Sequence, residues 1–90
     1  MSAVEVAVEV AGWIGALLIL LGYLAITTGR LTGDSAIYQW MNVAGAAGFV
    51  VNGWWHGAVP SAALNVIWLL IGGVALIRLR QKARAPANPA

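Results

Sequence analysis

Charged and apolar positions are sharply segregated along this 90-residue chain. Residues 10–29 (VAGWIGALLILLGYLAITTG) carry no formal charge, and neither do the 43 residues of 35–77. A helix of about 20 apolar residues crosses the hydrocarbon core of a bilayer, so the first run predicts one span at about 9–28. The second run is too long for one crossing and predicts a hairpin. Its turn signal is His56-Gly57-Ala58-Val59-Pro60, where glycine closes one helix and proline opens the next. That places the second and third spans at about 36–56 and 60–78. The polar break GRLTGDS, residues 29–35, separates the first two spans and offers Asp34 or Ser35 as a helix N-cap. Near the start, VEVAVEV (Val4–Val10) alternates with period two, the pattern of a strand. An unpaired strand cannot enter lipid. A helix instead sets Glu5 and Glu9 on one face at its N-terminal end, where negative charge is favoured, so a helical start is expected.

Within the second span the polar positions are ordered. At 100 degrees per residue, Tyr38, Asn42, Gly45, Phe49, Asn52 and His56 fall within an arc of about 80 degrees. Lipid penalises such groups, so this stripe is expected to face protein or a water-filled cavity. The third span has a weaker counterpart in Ser61, Asn65, Trp68 and Gly72, and the first places Gly12, Gly15, Ile19, Tyr23 and Thr27 on one side. Two readings of the amides remain open: hydrogen bonds between helices, or contacts to a solute. Gly45 and Gly48, with Ala44 and Ala47, form a small-residue patch suited to a close crossing, and Gly12, Gly15 and Gly72 are further candidates for helix packing. Trp13, Trp40, Trp54, Trp55 and Tyr38 lie near span ends, as aromatic belts do. Trp68 falls near mid-membrane.

Composition turns this pattern into a class. The chain is 61% hydrophobic and 9% charged, against roughly a quarter charged in soluble domains. So few charges cannot wet the surface of so small a domain. The prediction is a single all-α, three-span transmembrane domain over 1–80, with a disordered tail over 81–90. Four of the five basic residues, Arg78, Arg80, Lys82 and Arg84, cluster beside the last span. They read as a membrane-edge anchor rather than a nucleic-acid face. The positive-inside rule then predicts an integral inner (plasma) membrane protein with its N-terminus outside and its C-terminus cytoplasmic. The 29–35 loop with Arg30 falls on the inner side. The start carries no basic residue ahead of its apolar run and does not read as a secretory signal. There is no cysteine, the lone His56 has no cysteine or nearby carboxylate to make a metal site, and Ser35 and Ser61 have no base in the same segment. No enzyme activity, metal or cofactor is expected.

The stretch 45–65, GAAGFVVNGWWHGAVPSAALN, resembles the junction of the second and third helices in SemiSWEET half-transporters of the PQ-loop group. The resemblance rests on Gly45, Phe49, Gly53, Pro60 and Asn65. It implies a SWEET-like triple-helix bundle acting as a homodimer, with a mid-membrane site in which Phe49 takes the place of the family's tryptophan and Asn65 that of its asparagine. The family's Pro–Gln pair in the first helix is absent; Leu21-Gly22-Tyr23-Leu24 stands there. The chain also looks like small uncharacterised bacterial membrane proteins with a GWIG…Y…Y…N…G pattern, here Gly12–Gly15, Tyr23, Tyr38, Asn42 and Gly45. That likeness carries over no activity.

Three helices alone cannot enclose a solute. The expectation is therefore a homodimer in the lipid bilayer giving facilitated passage to a small polar solute, bound among Asn42, Phe49, Asn52, Asn65 and Trp68. The alternative is a non-transporting accessory or assembly subunit packed against a larger membrane complex.

Overall fold

The computed structural model describes residues 1–84 and is all helical over them: α1 (Ala3–Thr27), α2 (Ala36–Trp55) and α3 (Val59–Arg84). Ser2 caps α1 by accepting from the Glu5 backbone N–H at 3.1 Å. Its hydroxyl in turn donates to the Glu5 carboxylate at 3.3 Å. Serine with glutamate three residues on is a strong helix start, and it carries the alternating VEVAVEV segment into α1. Ser35 caps α2 through the Tyr38 N–H at 3.3 Å.

Both inter-helix turns are built the same way. Gly29 (φ +76) follows α1 and Gly57 (φ +71) follows α2 in the left-handed region. Arg30 N–H reaches back to the Ala25 carbonyl at 2.9 Å, and Ala58 N–H to the Gly53 carbonyl at 2.8 Å. This closure satisfies the last carbonyls of a helix, and glycine adopts its left-handed residue most easily. The chain therefore reverses twice.

α2 lies in the middle. It packs against α1 on one side and α3 on the other, and α1 does not touch α3. Gly12 meets Asn52 and Gly22 meets Tyr38, so α1 runs antiparallel to α2. Ala62 sits against Gly53 and Gly72 against Val43, so α3 is antiparallel as well. α1 and α3 thus point the same way.

The contacts are made by small residues. Val8, Ala46 and Ala62 are the only buried apolar side chains among the described residues, with no large side chain fully enclosed. Gly12, Gly15, Gly22, Gly45, Gly53 and Gly72 fill the remaining buried positions. Large apolar residues instead face outward on all three helices, from Trp13 at 74% exposed to Ile77 at 59%. A monomeric soluble protein rarely shows apolar patches beyond a few hundred Å². This fold turns nearly all its hydrocarbon out and its glycines in.

Three sequence expectations change here. α1 and α3 are long and apolar enough to cross a membrane, whereas α2 is not. Gln39, Asn42, Asn52 and several glycines lower its hydropathy, most of them on the sides it turns toward its neighbours; Trp40, Trp54 and Trp55 lower it too and are exposed. The expected span over 36–56 is thus a central helix flanked by two apolar ones, not a third independently apolar span. Secondly, α3 continues through Arg84, so Gln81–Arg84, expected in a disordered tail, are helical. Gln, Lys, Ala and Arg are all good helix formers and extend the helix beyond its apolar part. The rest of that expected tail, 85–90, lies outside the described residues. Thirdly, Ala44 is exposed and takes no part in the helix packing expected of it. It falls on the side of α2 turned away from both neighbours.

Candidate functional site

The α1–α2 crossing brings backbone close to backbone. A Cβ on Gly15 would stand 2.7 Å from the Gly45 carbonyl oxygen, and one on Gly45 2.6 Å from Ile19 Cγ1. One on Gly48 would run into the Ala11 carbonyl oxygen. Gly12 leaves the space that Asn52 fills, where a Cβ would come 2.6 Å from Asn52 Nδ2. That amide donates to the Val8 carbonyl of α1 at 3.1 Å. Asn52 is therefore a bridge between helices, supported by the absence of a side chain at residue 12.

One turn further along α2, His56 Nε2 lies 2.7 Å from Glu9 Oε1. This pair is a second tie between α1 and α2, at the end of the molecule where α1 begins. The sequence had assigned His56 no nearby carboxylate. The signal was present: His56 shares the stripe of Asn52, and a helix starting near residue 3 carries Glu9 past the same end. Both side chains are partly exposed, at 50% and 38%.

On the other flank, a Cβ on Gly72 would stand 2.9 Å from Val43 Cγ2, with the Gln39 and Asn42 side chains just beyond. At 100 degrees per residue, the α2 positions that meet α1 (Tyr38, Met41, Gly45, Gly48, Asn52) centre roughly 140 degrees from those that meet α3 (Gln39, Val43, Gly53). With neighbouring helix axes about 8–10 Å apart, the axes of α1 and α3 stand about 17 Å apart across the opening. A helix with side chains is about 10–12 Å wide, so the gap between α1 and α3 is only about 5–7 Å. This is an open trough with α2 as its floor. It is too narrow for another helix and wide enough for side chains or a small solute.

Asn42 and Phe49 occupy the sector of α2 that forms this floor. From α1, Glu9, Trp13 and Ala16 border it, enclosing with Gly12, Phe49 and Asn52 a shallow recess of about 290 Å³. From α3 the trough-side positions are Ser61, Asn65, Trp68 and Gly72, opposite the flank on which Gly73 and Ile77 accompany Trp40 and Val43. By helical register Asn42 and Phe49 of α2 and Asn65 and Trp68 of α3 fall toward the trough; of these, Phe49 borders the recess, together with Asn52. Trp68 is 54% exposed. Asn65 donates to the Ser61 carbonyl of its own helix at 2.9 Å and ties no helices together. No hydrogen bond of the Asn42 side chain is formed among the described residues. Nor is there any group of three His, Asp or Glu placed to hold a metal among them.

No curated protein and no solved structure matches this chain. The resemblance to SemiSWEET transporters finds no counterpart in these comparisons and rests on the short 45–65 motif alone. A family model does match, over residues 8–84, which takes in the α1–α2 crossing, the trough and the whole of α3. The chain belongs to that small, uncharacterised family, in keeping with its likeness to small bacterial membrane proteins.

Proposed function

We propose that the protein is an integral membrane protein, two copies of which face each other across their troughs to form a passage for a small polar solute. Membrane residence is supported by the outward hydrocarbon and by the length and apolarity of α1 and α3. Because α1 and α3 run in the same direction, the chain must return between them. α2 makes that return sheltered by its two neighbours rather than on its own hydropathy. The basic residues Arg30, Arg78, Arg80, Lys82 and Arg84 collect at one end of the bundle, and Glu5 and Glu9 at the other. Under the positive-inside rule this favours an N-terminus outside and a C-terminus in the cytoplasm of a bacterial inner membrane.

The observation that supports the solute reading is the trough, open along one side, toward which helical register turns Asn42, Phe49, Asn65 and Trp68. Midplane polar groups between packed helices are where membrane transporters hold their cargo. A second copy is the simplest way to close it, with twofold symmetry placing each trough opposite the other. Passage would be facilitated rather than ion-driven, since residues 35–77 offer no carboxylate.

The test is solute entry into proteoliposomes, read by swelling against a panel of sugars, amino acids and nucleosides. At least one solute should enter faster than into protein-free vesicles, and Asn65→Ala should remove the difference while leaving the fold intact, because Asn65 bonds only within α3. Entry no faster than into protein-free vesicles for every solute sinks the reading.

One observation favours a different role. Asn52 and Asn65 both spend their amides on backbone carbonyls of this chain, as a packing protein would. An assembly subunit would be monomeric in mild detergent and would co-purify with a larger complex. A stable homodimer favours the passage.

A further inference from the structure

We propose that the outer flank of the α2–α3 pair, opposite the trough, is a seat for a single anionic phospholipid. This rests on membrane residence but not on the solute reading. Between the start of α2 and the end of α3 lies a groove of about 520 Å³, bordered by Trp40, Val43, Gly73, Ile77 and, at its mouth, Arg80. Its chemistry is graded along the helix axis. Arg80 stands seven residues beyond Gly73, about 10 Å of helix rise. The polar layer on each face of a bilayer is about 5–8 Å deep. With Arg80 among the headgroups, Gly73 lies in hydrocarbon, and the groove beneath the guanidinium offers an acyl chain only apolar walls.

Charge complementarity selects the occupant. Arg84 lies one turn past Arg80 on the same face of α3, and no Asp or Glu borders this groove. The recess on the other side of Leu79 also carries two cations, Arg78 and Lys82, but Asp34 stands at its edge. An anionic headgroup therefore meets cations without an opposing carboxylate on the outer flank, whereas Asp34 offsets one of the two cations in the other recess. A basic site between helices over an apolar groove is the arrangement that retains acidic phospholipids.

The glycine pair of α3 divides the labour. A Cβ on Gly72 would press on Val43, whereas one on Gly73 would meet nothing within 4 Å. Gly73 is thus not needed for helix packing. Its missing side chain leaves the groove open, and a side chain there would start into that space with its Cβ clear of protein atoms.

Native mass spectrometry of the full chain, purified and titrated with either phosphatidylglycerol or phosphatidylcholine of the same acyl chains, tests this. The wild type should retain one phosphatidylglycerol in preference to phosphatidylcholine. Arg80→Gln should weaken that retention about fivefold, the equivalent of one basic residue near a charged surface. Gly73→Leu should abolish retention of the lipid while leaving the helical circular dichroism unchanged. Equal retention of the two lipids, or phosphatidylglycerol binding untouched by both substitutions, overturns the proposal. Release of the lipid by millimolar inorganic phosphate also overturns it, since the site would then read a free anion rather than a phospholipid.

Discussion

Gly15 and Gly73 are both helical glycines with opposite surroundings, and substituting each by alanine separates packing from propensity. In either helix the change to alanine recovers about 0.8–1.0 kcal/mol of intrinsic helix preference. At residue 73 the added methyl enters open space, so the substitution should be neutral or stabilising by up to that amount. At residue 15 the methyl would lie 2.7 Å from the Gly45 carbonyl oxygen and 3.5 Å from Gly48 Cα. Both neighbours are backbone and cannot rotate away. Ordinary contact requires α1 and α2 to part by roughly 0.5–1 Å, which forfeits a quarter to a half of the dispersion energy at the crossing. Overpacking of this kind costs about 1–3 kcal/mol. Because the propensity gain is common to both variants, Gly15→Ala should be less stable than Gly73→Ala by about 1–3 kcal/mol, or five- to 150-fold in the folding equilibrium. Reversible unfolding by SDS in mixed micelles, followed by circular dichroism, gives both values in one series. Equal stabilities for the two variants would refute the claim that glycine-paved backbone contact holds α1 to α2.

Three further outcomes follow from the same geometry. Asn52→Ala should destabilise the fold by about 0.5–1.5 kcal/mol, the range for a hydrogen bond between helices in lipid; the same unfolding assay should show no loss for Asn65→Ala, whose bond stays within α3. The Glu9–His56 pair, half exposed at the end of the bundle, should show a coupling of only about 0.2–1 kcal/mol in a double-mutant cycle of Glu9→Gln and His56→Ala, and a coupling of several kcal/mol would mean the pair is far better shielded than its exposure indicates. A reporter active only in the cytoplasm, fused after Ala90, should be active, and activity of a periplasm-specific reporter at the same position would reverse the orientation.

The helices were legible because lipid imposes a length and because their ends carry local chemistry. Ser35 marks the start of α2, and Gly29 and Gly57 mark the two reversals. The ends that hydropathy misplaced, Ala3 and Arg84, are those where a helix continues into polar sequence. Hydropathy sees the bilayer boundary, not the hydrogen-bond ladder. The stripe on α2 gave a direction but not a partner. It placed Asn52 and Asn42 on one face, yet only the packing of α1 and α3 on different sides of α2 separates an amide locked to the Val8 carbonyl from one on the trough floor. The Glu9–His56 tie depends on the register between two helices, which no single-helix periodicity contains. Ala44 shows the converse. Four residues before Gly48, its spacing suited a crossing, but the face that meets α1 is centred about 80 degrees of helix rotation away.

The central claim is that the trough is the face by which two copies meet. The sequence has no cysteine, so a single introduced one reports its own contacts. Trp68→Cys places a thiol on the trough side of α3, and Val51→Cys places one on the outward side of α2, where the residue is 50% exposed. Oxidation in native membranes should give a disulfide-linked dimer from Trp68→Cys and monomer from Val51→Cys. Monomer from both, or dimer from Val51→Cys alone, would contradict the account.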